Sequence, residues 1–258
     1  MSRVYALVRS PKIGCCRRIA HSVIIAIAMA LSVQAALAQD TIIFTTEDYP
    51  PYNFTENGIY KGVGYDQVMM IMKDIGIEYT VELMPWARAY AMAQSDSMTC
   101  VFTTAHTPER DQQFKWVEPL GHDRNIMTSK ADANIHVTNI EQARNYRVGT
   151  QRDDYTQVFL EKNGFQKIDL AASLDLTLKK LESGRIDLVP ISEKFFYDLV
   201  AEGHPLAEQF ILTEQTFALA CNKSVPDTLI TKMQASLDKL IADGRQKAIF
   251  KQYGMRGY

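Results

Sequence analysis

From residue 41 onward the chain alternates short β-leaning runs with amphipathic helical stretches, and that alternation restricts it to an α/β architecture with helices packed on sheet faces. Thr41 to Thr46 is a β-branched strand. A helix then carries Val68, Ile71, Met72 and Ile75 on one face, with Asp66 expected as its N-cap and Gly76 at its end. Ile77 to Leu83 reads as the next strand, and Pro85 opens the helix that holds Trp86 and Arg88. The same grammar recurs in the second half. Arg147 to Thr150 is a strand, Gln151 to Tyr155 a loop, Ser173 caps a helix ended by Gly184, and Ile186 to Ile191 is the strand after it. Both Gln94–Val101 and Glu182–Val189 leave an amphipathic helix and enter a strand, which predicts two similar α/β lobes. A stretch from Trp116 to Asn125 with Pro119 and Gly121 reads as a crossing between them. Phe217 to Cys221 is a further strand, and Pro226 starts a long helix with Leu229, Met233, Leu237, Leu240 and Ile241 inside.

Residues 1–38 have a different character. Arg3, Arg9, Lys12, Arg17 and Arg18 precede the apolar run Val23 to Leu31, and Ala36-Leu37-Ala38 offers a small-x-small cleavage site: the order of a secretory signal peptide. Cys15 and Cys16 lie before the apolar run and not at the cleavage point, so export to the periplasm without a lipid anchor is expected. No later stretch approaches the roughly 20 apolar residues of a bilayer span. Cleavage after Ala38 removes five of the 28 Lys+Arg and none of the 30 Asp+Glu, leaving 23 against 30, a net charge of −7. That balance argues against nucleic acid or an anionic membrane as partner. Cys100 and Cys221 remain; an exported chain invites a disulfide, with two buried thiols as the alternative.

The stretch with most chemistry is Thr103-Thr104-Ala105-His106-Thr107-Pro108-Glu109-Arg110. Hydroxyls lie at a strand end, and Pro108 suits the first turn of a helix that would place Arg110 near its start. A cation there opposes the helix dipole, so an anion is expected close by, and a guanidinium fork suits a carboxylate. Aromatic residues crowd the loop after the first strand, Tyr49, Tyr52 and Phe54, stiffened by Pro50 and Pro51. Trp86 at a helix start suits a pocket wall, Arg88 shares its position, and Arg152 at a strand end is hard to explain as capping. The sequence has no HExxH, GxSxG or CxxC, its five histidines are isolated, and Gly62 and Gly64 lack the third glycine of a dinucleotide loop. No metal or cofactor is implied.

Glu47–Phe54, Gly62-x-Gly-Tyr-Asp66, Thr107-Pro-Glu-Arg110 with Phe114, Val148–Gln151, Ser183-Gly-Arg-Ile-Asp187 and the terminal helix with Asp243-Gly244 together resemble bacterial extracellular solute-binding protein family 3, the type II periplasmic binding proteins of ABC importers. Pro85-Trp-Ala-Arg88 and Phe114-Lys-Trp116 suggest a branch distinct from the well-known amino-acid binders. The resemblance implies two lobes, each a mixed, mainly parallel sheet flanked by helices, joined by a two-strand hinge. Lobe 1 would comprise residues 39–120 plus 213–258, and lobe 2 residues 121–212. It implies a monomer that captures a small carboxylate-bearing solute, an amino acid or a relative, by lobe closure and delivers it to an inner-membrane permease. Arg110 would clamp the carboxylate, helped by Thr103 and Thr104. Tyr49, Tyr52, Trp86, Arg88, Arg152 and Glu193 complete the candidate ligand set. Two departures bear on an α-ammonium group: the aspartate that meets it in amino-acid binders matches Ser192, with Glu193 next, and a hydroxyl residue before the arginine matches Ala105. The same resemblance sets the Phe217 strand beside the Met98 strand, making Cys100 and Cys221 a candidate disulfide. The fold also hosts enzymes such as cyclohexadienyl dehydratase, for which Glu47, Glu193 and His106 could move protons, and a ligand-presenting sensor partner is a third reading.

Overall fold

The structure, a computed structural model, describes residues 41–255; the signal peptide expected over residues 1–38 lies outside the described residues. Eight strands form one hydrogen-bonded sheet. In chain order the elements are β1 (Ile42–Thr46), β2 (Phe54–Glu56), β3 (Ile59–Lys61), α1 (Val63–Ile75), β4 (Tyr79–Leu83), α2 (Trp86–Ser95) and β5 (Thr99–Ala105). They continue with β6 (Lys115–Lys130), α3 (Ile140–Ala143), β7 (Val148–Gln151), α4 (Tyr155–Lys162), β8 (Ile168–Ala171), α5 (Leu174–Glu182), β9 (Leu188–Ser192) and α6 (Glu193–Ala201). The last are β10 (Leu206–Cys221), α7 (Asp227–Ala242) and α8 (Arg245–Gln252). The sheet order is β4-β1-β5-β10-β6-β9-β7-β8, with β2 and β3 as a separate hairpin.

That order explains the two lobes. At one end β4, β1 and β5 run parallel, and at the other β9, β7 and β8 do the same, which requires crossover connections of the βαβ kind. Between them stand β6 and β10, two 16-residue antiparallel strands paired from Leu206–Lys130 to Cys221–Lys115. The stretch from Trp116 to Asn125, read from the sequence as a crossing, lies within the long strand β6. Each lobe has its own core. Phe44, Val68, Ile71, Phe102, Met233 and Leu237 fill the first between α1, α7 and the sheet, while Ile126, Leu181, Ile186, Val189 and Ile191 fill part of the second.

Local chemistry departs from the expected caps in two places that matter for the site. Helix α1 begins at Val63 with Gly62 as N-cap, four residues earlier than an Asp66 cap would have it; Asp66 sits in the first turn. The amides of Val63 and Gly64 donate to the carbonyls of Pro51 and Tyr52 at 3.0 and 2.8 Å, so the aromatic loop itself satisfies the helix start. A Cβ on Gly62, whose φ is 126°, would lie 2.2 Å from the Tyr52 carbonyl oxygen, so only glycine admits this approach. Pro108 does not open an α-helix either. Thr107 to Arg110 form turns, and a single 3₁₀ turn follows over Asp111–Gln113.

Cys100 and Cys221 are register partners on β5 and β10, fully buried, with their Cα atoms 3.9 Å apart, and they form a disulfide. It joins residues 121 positions apart, tying β5 to the returning strand of the hinge pair.

Candidate functional site

The carboxyl ends of β1, β5 and β7 point toward the gap between the lobes, where crevices form in open α/β sheets. A cavity of about 40 Å³ lies there, lined by Glu47, Tyr49, Trp86, Thr103, Arg110, Asn125, Gln151, Asp154, Tyr155 and Phe217 among others. It holds roughly two or three water molecules, the scale of a very small solute in a closed cleft.

Arg110 is 5% exposed. Its guanidinium lies over Tyr90 at 4.7 Å and over Trp86 at 5.4 Å, so two ring faces fix its plane by cation–π attraction. Tyr90 is in turn held by a hydrogen bond of 2.7 Å from its hydroxyl to Gln113. Arg110 Nη2 donates to the Asp153 carbonyl at 2.8 Å, and Nη1 to Ala105 O at 3.3 Å. The Trp86 indole N–H also donates to Asp153 O, at 2.9 Å. One carbonyl of the β7–α4 loop therefore sits on both first-lobe groups. Asp153 has φ 60°, a left-handed backbone that turns this carbonyl into the gap.

Glu47 follows β1 directly and is 9% exposed. Its Oε2 accepts from Gln151 Nε2 at the end of β7, a bond between the lobes. Burial pushes the Glu47 carboxyl from 4.5 up to about 8, against the opposing pull of that bond; Asp154 and Asp48 add to the rise and Arg110 offsets part of it. At neutral pH an unliganded site therefore holds Glu47 mainly as the neutral acid.

Thr103 occupies a bulge. Between Val101 and Thr104, β5 advances three residues while β10 advances two, from Ala220 to Ala218, and Thr103 takes φ 58°. A β-branched residue in the left-handed region costs about 1–2 kcal/mol. The result is a buried hydroxyl at the cavity wall with no hydrogen-bond partner. Gly64 leaves room for it, since a Cβ there would lie 2.2 Å from Thr103 Oγ1.

Of the residues singled out in the sequence, Arg110, Thr103, Tyr49 and Trp86 line this cavity. Tyr52 stands behind its wall, its hydroxyl 2.8 Å from Ser192 Oγ and its ring edge-on to Phe217 at 5.0 Å. Thr104 faces inward and donates to Val101 O at 3.2 Å, because the bulge turns Thr103 and not Thr104 to the gap. Arg88 and Arg152 are exposed and outside the cavity: one is on the outer face of α2, the other at the edge of a turn. Glu193 begins α6 and is paired with Arg124, whose Nε donates to it at 2.9 Å, so it turns toward a separate groove. His106 stacks on Trp116 at 3.9 Å and bonds Glu118 and Asp111, away from the cavity.

The sequence left Asn125 and Phe217 out, and from the loop Gln151 to Tyr155, which the resemblance implies meets the ligand, it singled out Arg152 and not Gln151 or Tyr155. Position at a strand end was the available signal for Gln151, whereas Asn125 and Phe217 lie within the hinge strands, where nothing in a linear pattern marks which side meets the cleft. Asn125 donates to the Tyr155 hydroxyl at 2.8 Å, and its Oδ1 is buried without a partner. Asp123, two residues earlier, is 6% exposed beside Tyr52 and Ser192, and burial raises its carboxyl to about 7. No group of three or more His, Cys, Asp or Glu among the described residues could hold a metal ion, and no described helix is long and apolar enough to cross a membrane.

Two lobes bridged by a pair of long strands, with a buried cation and aromatic walls in the gap, define a protein of the two-lobe binding class. The family model of bacterial extracellular solute-binding proteins, family 3, matches residues 41–256, and the chain belongs to that family. Solved structures agree in fold. A histidine kinase sensor domain with similarity to periplasmic binding proteins is 19% identical, with a TM-score of 0.77 over 83% of this chain and 96% of that one. A mutant of ArgBP from T. maritima is 17% identical, with a TM-score of 0.77 over 86% and 98%. The arginine-, lysine-, histidine-binding protein ArtJ from Geobacillus stearothermophilus is 19% identical, with a TM-score of 0.75 over 84% and 97%. No curated protein sequence matched the chain.

Proposed function

We propose that the protein captures a small carboxylate-bearing solute between its lobes and passes it to an ABC importer of the inner membrane. The observation that carries this is Arg110: a guanidinium buried in a cleft, oriented by Tyr90 and Trp86, with two bonds to protein carbonyls for its five N–H groups. A buried cation of this kind favours an anionic partner. Residues up to 120 with those from 213 would form one lobe and residues 121–212 the other, β6 and β10 acting as the hinge. Closure joins Glu47 to Gln151, Arg110 to Asp153, and Glu109 to Lys162, so each such pair is absent from an open form. Export by a signal peptide cleaved after Ala38 would place the monomer in the periplasm.

Calorimetric titration of the processed protein with small carboxylates, beside Arg110→Ala, tests this reading. Two charge-assisted bonds are worth about 3 kcal/mol or more together, so the variant loses about 100-fold or more in affinity while keeping its circular dichroism. Unchanged affinity removes Arg110 from the site.

The buried acid Glu47 beside Arg110 favours a second reading, a lyase on the same scaffold, since a carboxyl near neutrality suits proton transfer. Chemical change of a bound solute during incubation would distinguish it. Presentation of the solute to a membrane sensor needs the same cleft and differs only in the partner that docks.

A further inference from the structure

Two carboxyls lie buried where the lobes meet. Glu47, at the end of β1 in the first lobe, is bonded to Gln151 of the second. Asp123, on the hinge strand β6, is 6% exposed and is held by hydrogen bonds from Tyr52 of the first lobe and Ser192 of the second. Tyr52 and Ser192 hold each other through their hydroxyls at 2.8 Å, and the Tyr49 hydroxyl accepts from Ser192 N at 2.9 Å. Both acids are thus covered by side chains that come from opposite sides of the gap, and parting the lobes returns them to water.

A carboxylate tolerates burial only with a cation or several donors upon it. Facing Glu47 are Asp48, Asp154, Tyr49 and Arg110; the two acids oppose its ionisation and Arg110 offsets only part of that, its Nη1 and Nη2 being engaged by the Ala105 and Asp153 carbonyls. Facing Asp123 are the hydroxyls of Tyr49, Tyr52 and Tyr155 and the carboxylate of Glu193, and Asp123 Oδ2 is buried without a hydrogen-bond partner. The cations of the adjoining groove are engaged by other acids, Arg124 by Glu193 and Lys194 by Asp198, and Glu214 there adds a further negative charge. His122 and Tyr197 of the same groove are bonded to Thr216 and Glu208. Burial accordingly raises Glu47 to about 8 and Asp123 to about 7.

We propose, resting on the hinged two-lobe reading above, that closure is proton-linked: Glu47 and Asp123 are carboxylates in the open cleft and neutral acids in the closed one, so that a rise in pH opens the cleft and releases the solute. Each carboxylate takes one proton from solvent as the cleft shuts and returns it on opening. Because the closed form binds the extra protons, its share falls as pH rises, by up to about tenfold per pH unit for each acid, until the closed carboxyl itself ionises. A solute carboxylate on Arg110 takes up the attraction that would otherwise help Glu47 ionise, so capture of an anion leaves the sense of the linkage unchanged.

Small-angle X-ray scattering of the processed, solute-free protein at pH 6, 7, 8 and 9 tests this, with circular dichroism showing that the fold persists. The radius of gyration should rise with pH as the closed-to-open ratio falls about tenfold or more between pH 6 and 8. Glu47→Gln with Asp123→Asn keeps both side-chain volumes without a titrating proton and should hold the radius constant to pH 9; a merely structural role for the two acids would shift the ratio and keep its pH dependence. Each single variant should lose part of the slope, which keeps the test intact if the double variant fails to fold. A wild-type radius that is constant from pH 6 to 9 or falls with pH, or variants as pH-dependent as the wild type, overturns the proposal. Small carboxylates that bind in the calorimetric titration while the radius ignores pH sink the linkage alone. A pH-dependent radius with no carboxylate bound sinks the carboxylate reading and leaves the linkage standing.

Discussion

Replacing Glu47 by glutamine should remove a specific part of the protein's pH dependence of stability. In the unfolded chain this carboxyl ionises near 4.5, and in the folded protein burial holds its proton up to about 8. Below the first value both states are protonated and the group contributes nothing to the slope. Between the two values the folded state binds the extra proton, so stability falls as pH rises; above about 8 the loss is complete. At about 1.4 kcal/mol per pH unit, the whole window corresponds to about 5 kcal/mol, an upper figure because opening of the cleft would admit water. Glutamine keeps the volume and the bond to Gln151 without a titrating proton. Urea denaturation of the unliganded protein at pH 5, 6, 7 and 8 should show the wild type losing several kcal/mol across the range and Glu47→Gln losing clearly less. The slope that persists in the variant belongs largely to Asp123, whose carboxyl burial raises from 3.8 to about 7, and Asp123→Asn should reduce it further. Parallel stability profiles for wild type and Glu47→Gln would show that Glu47 is solvated in the folded protein and would refute the reasoning.

Other expectations follow from the same geometry. Closing a loop of 121 residues, the Cys100–Cys221 disulfide stabilises the fold by about 5 kcal/mol on the chain-entropy account, so reduction should lower the unfolding free energy by several kcal/mol and the denaturation midpoint with it. Thiol alkylation with mass measurement before and after reduction verifies the bond. Thr103→Gly relieves a strained left-handed residue and should hold stability within about 1 kcal/mol of wild type, while solute affinity drops several-fold with the lost hydroxyl. A loss above 2 kcal/mol would show that the side chain is there for packing and not for the solute.

The linear sequence decided the class of fold. Unbroken β-branched or apolar runs at Thr41–Thr46 and Phe217–Cys221 report strands buried on both faces, and helical faces such as Leu229, Met233 and Leu237 report burial of one side of a helix; both requirements are local. It also singled out Arg110, by way of an expected helix start that the structure replaces with turns and a single 3₁₀ turn. What only the tertiary structure decided was which neighbours converge. A one-residue bulge in β5 turned Thr103 and not Thr104 to the cleft, and a strand running on past Pro119 carried Asn125 to its floor. Glu193 was lost to the site because Arg124, on an adjacent strand, lay close enough to pair with it. Glu47 is an ordinary loop acid in the sequence; its high pKa exists only because distant segments close over it and exclude water. Burial of a charge is a property of the assembled lobes, and no periodicity along the chain encodes it.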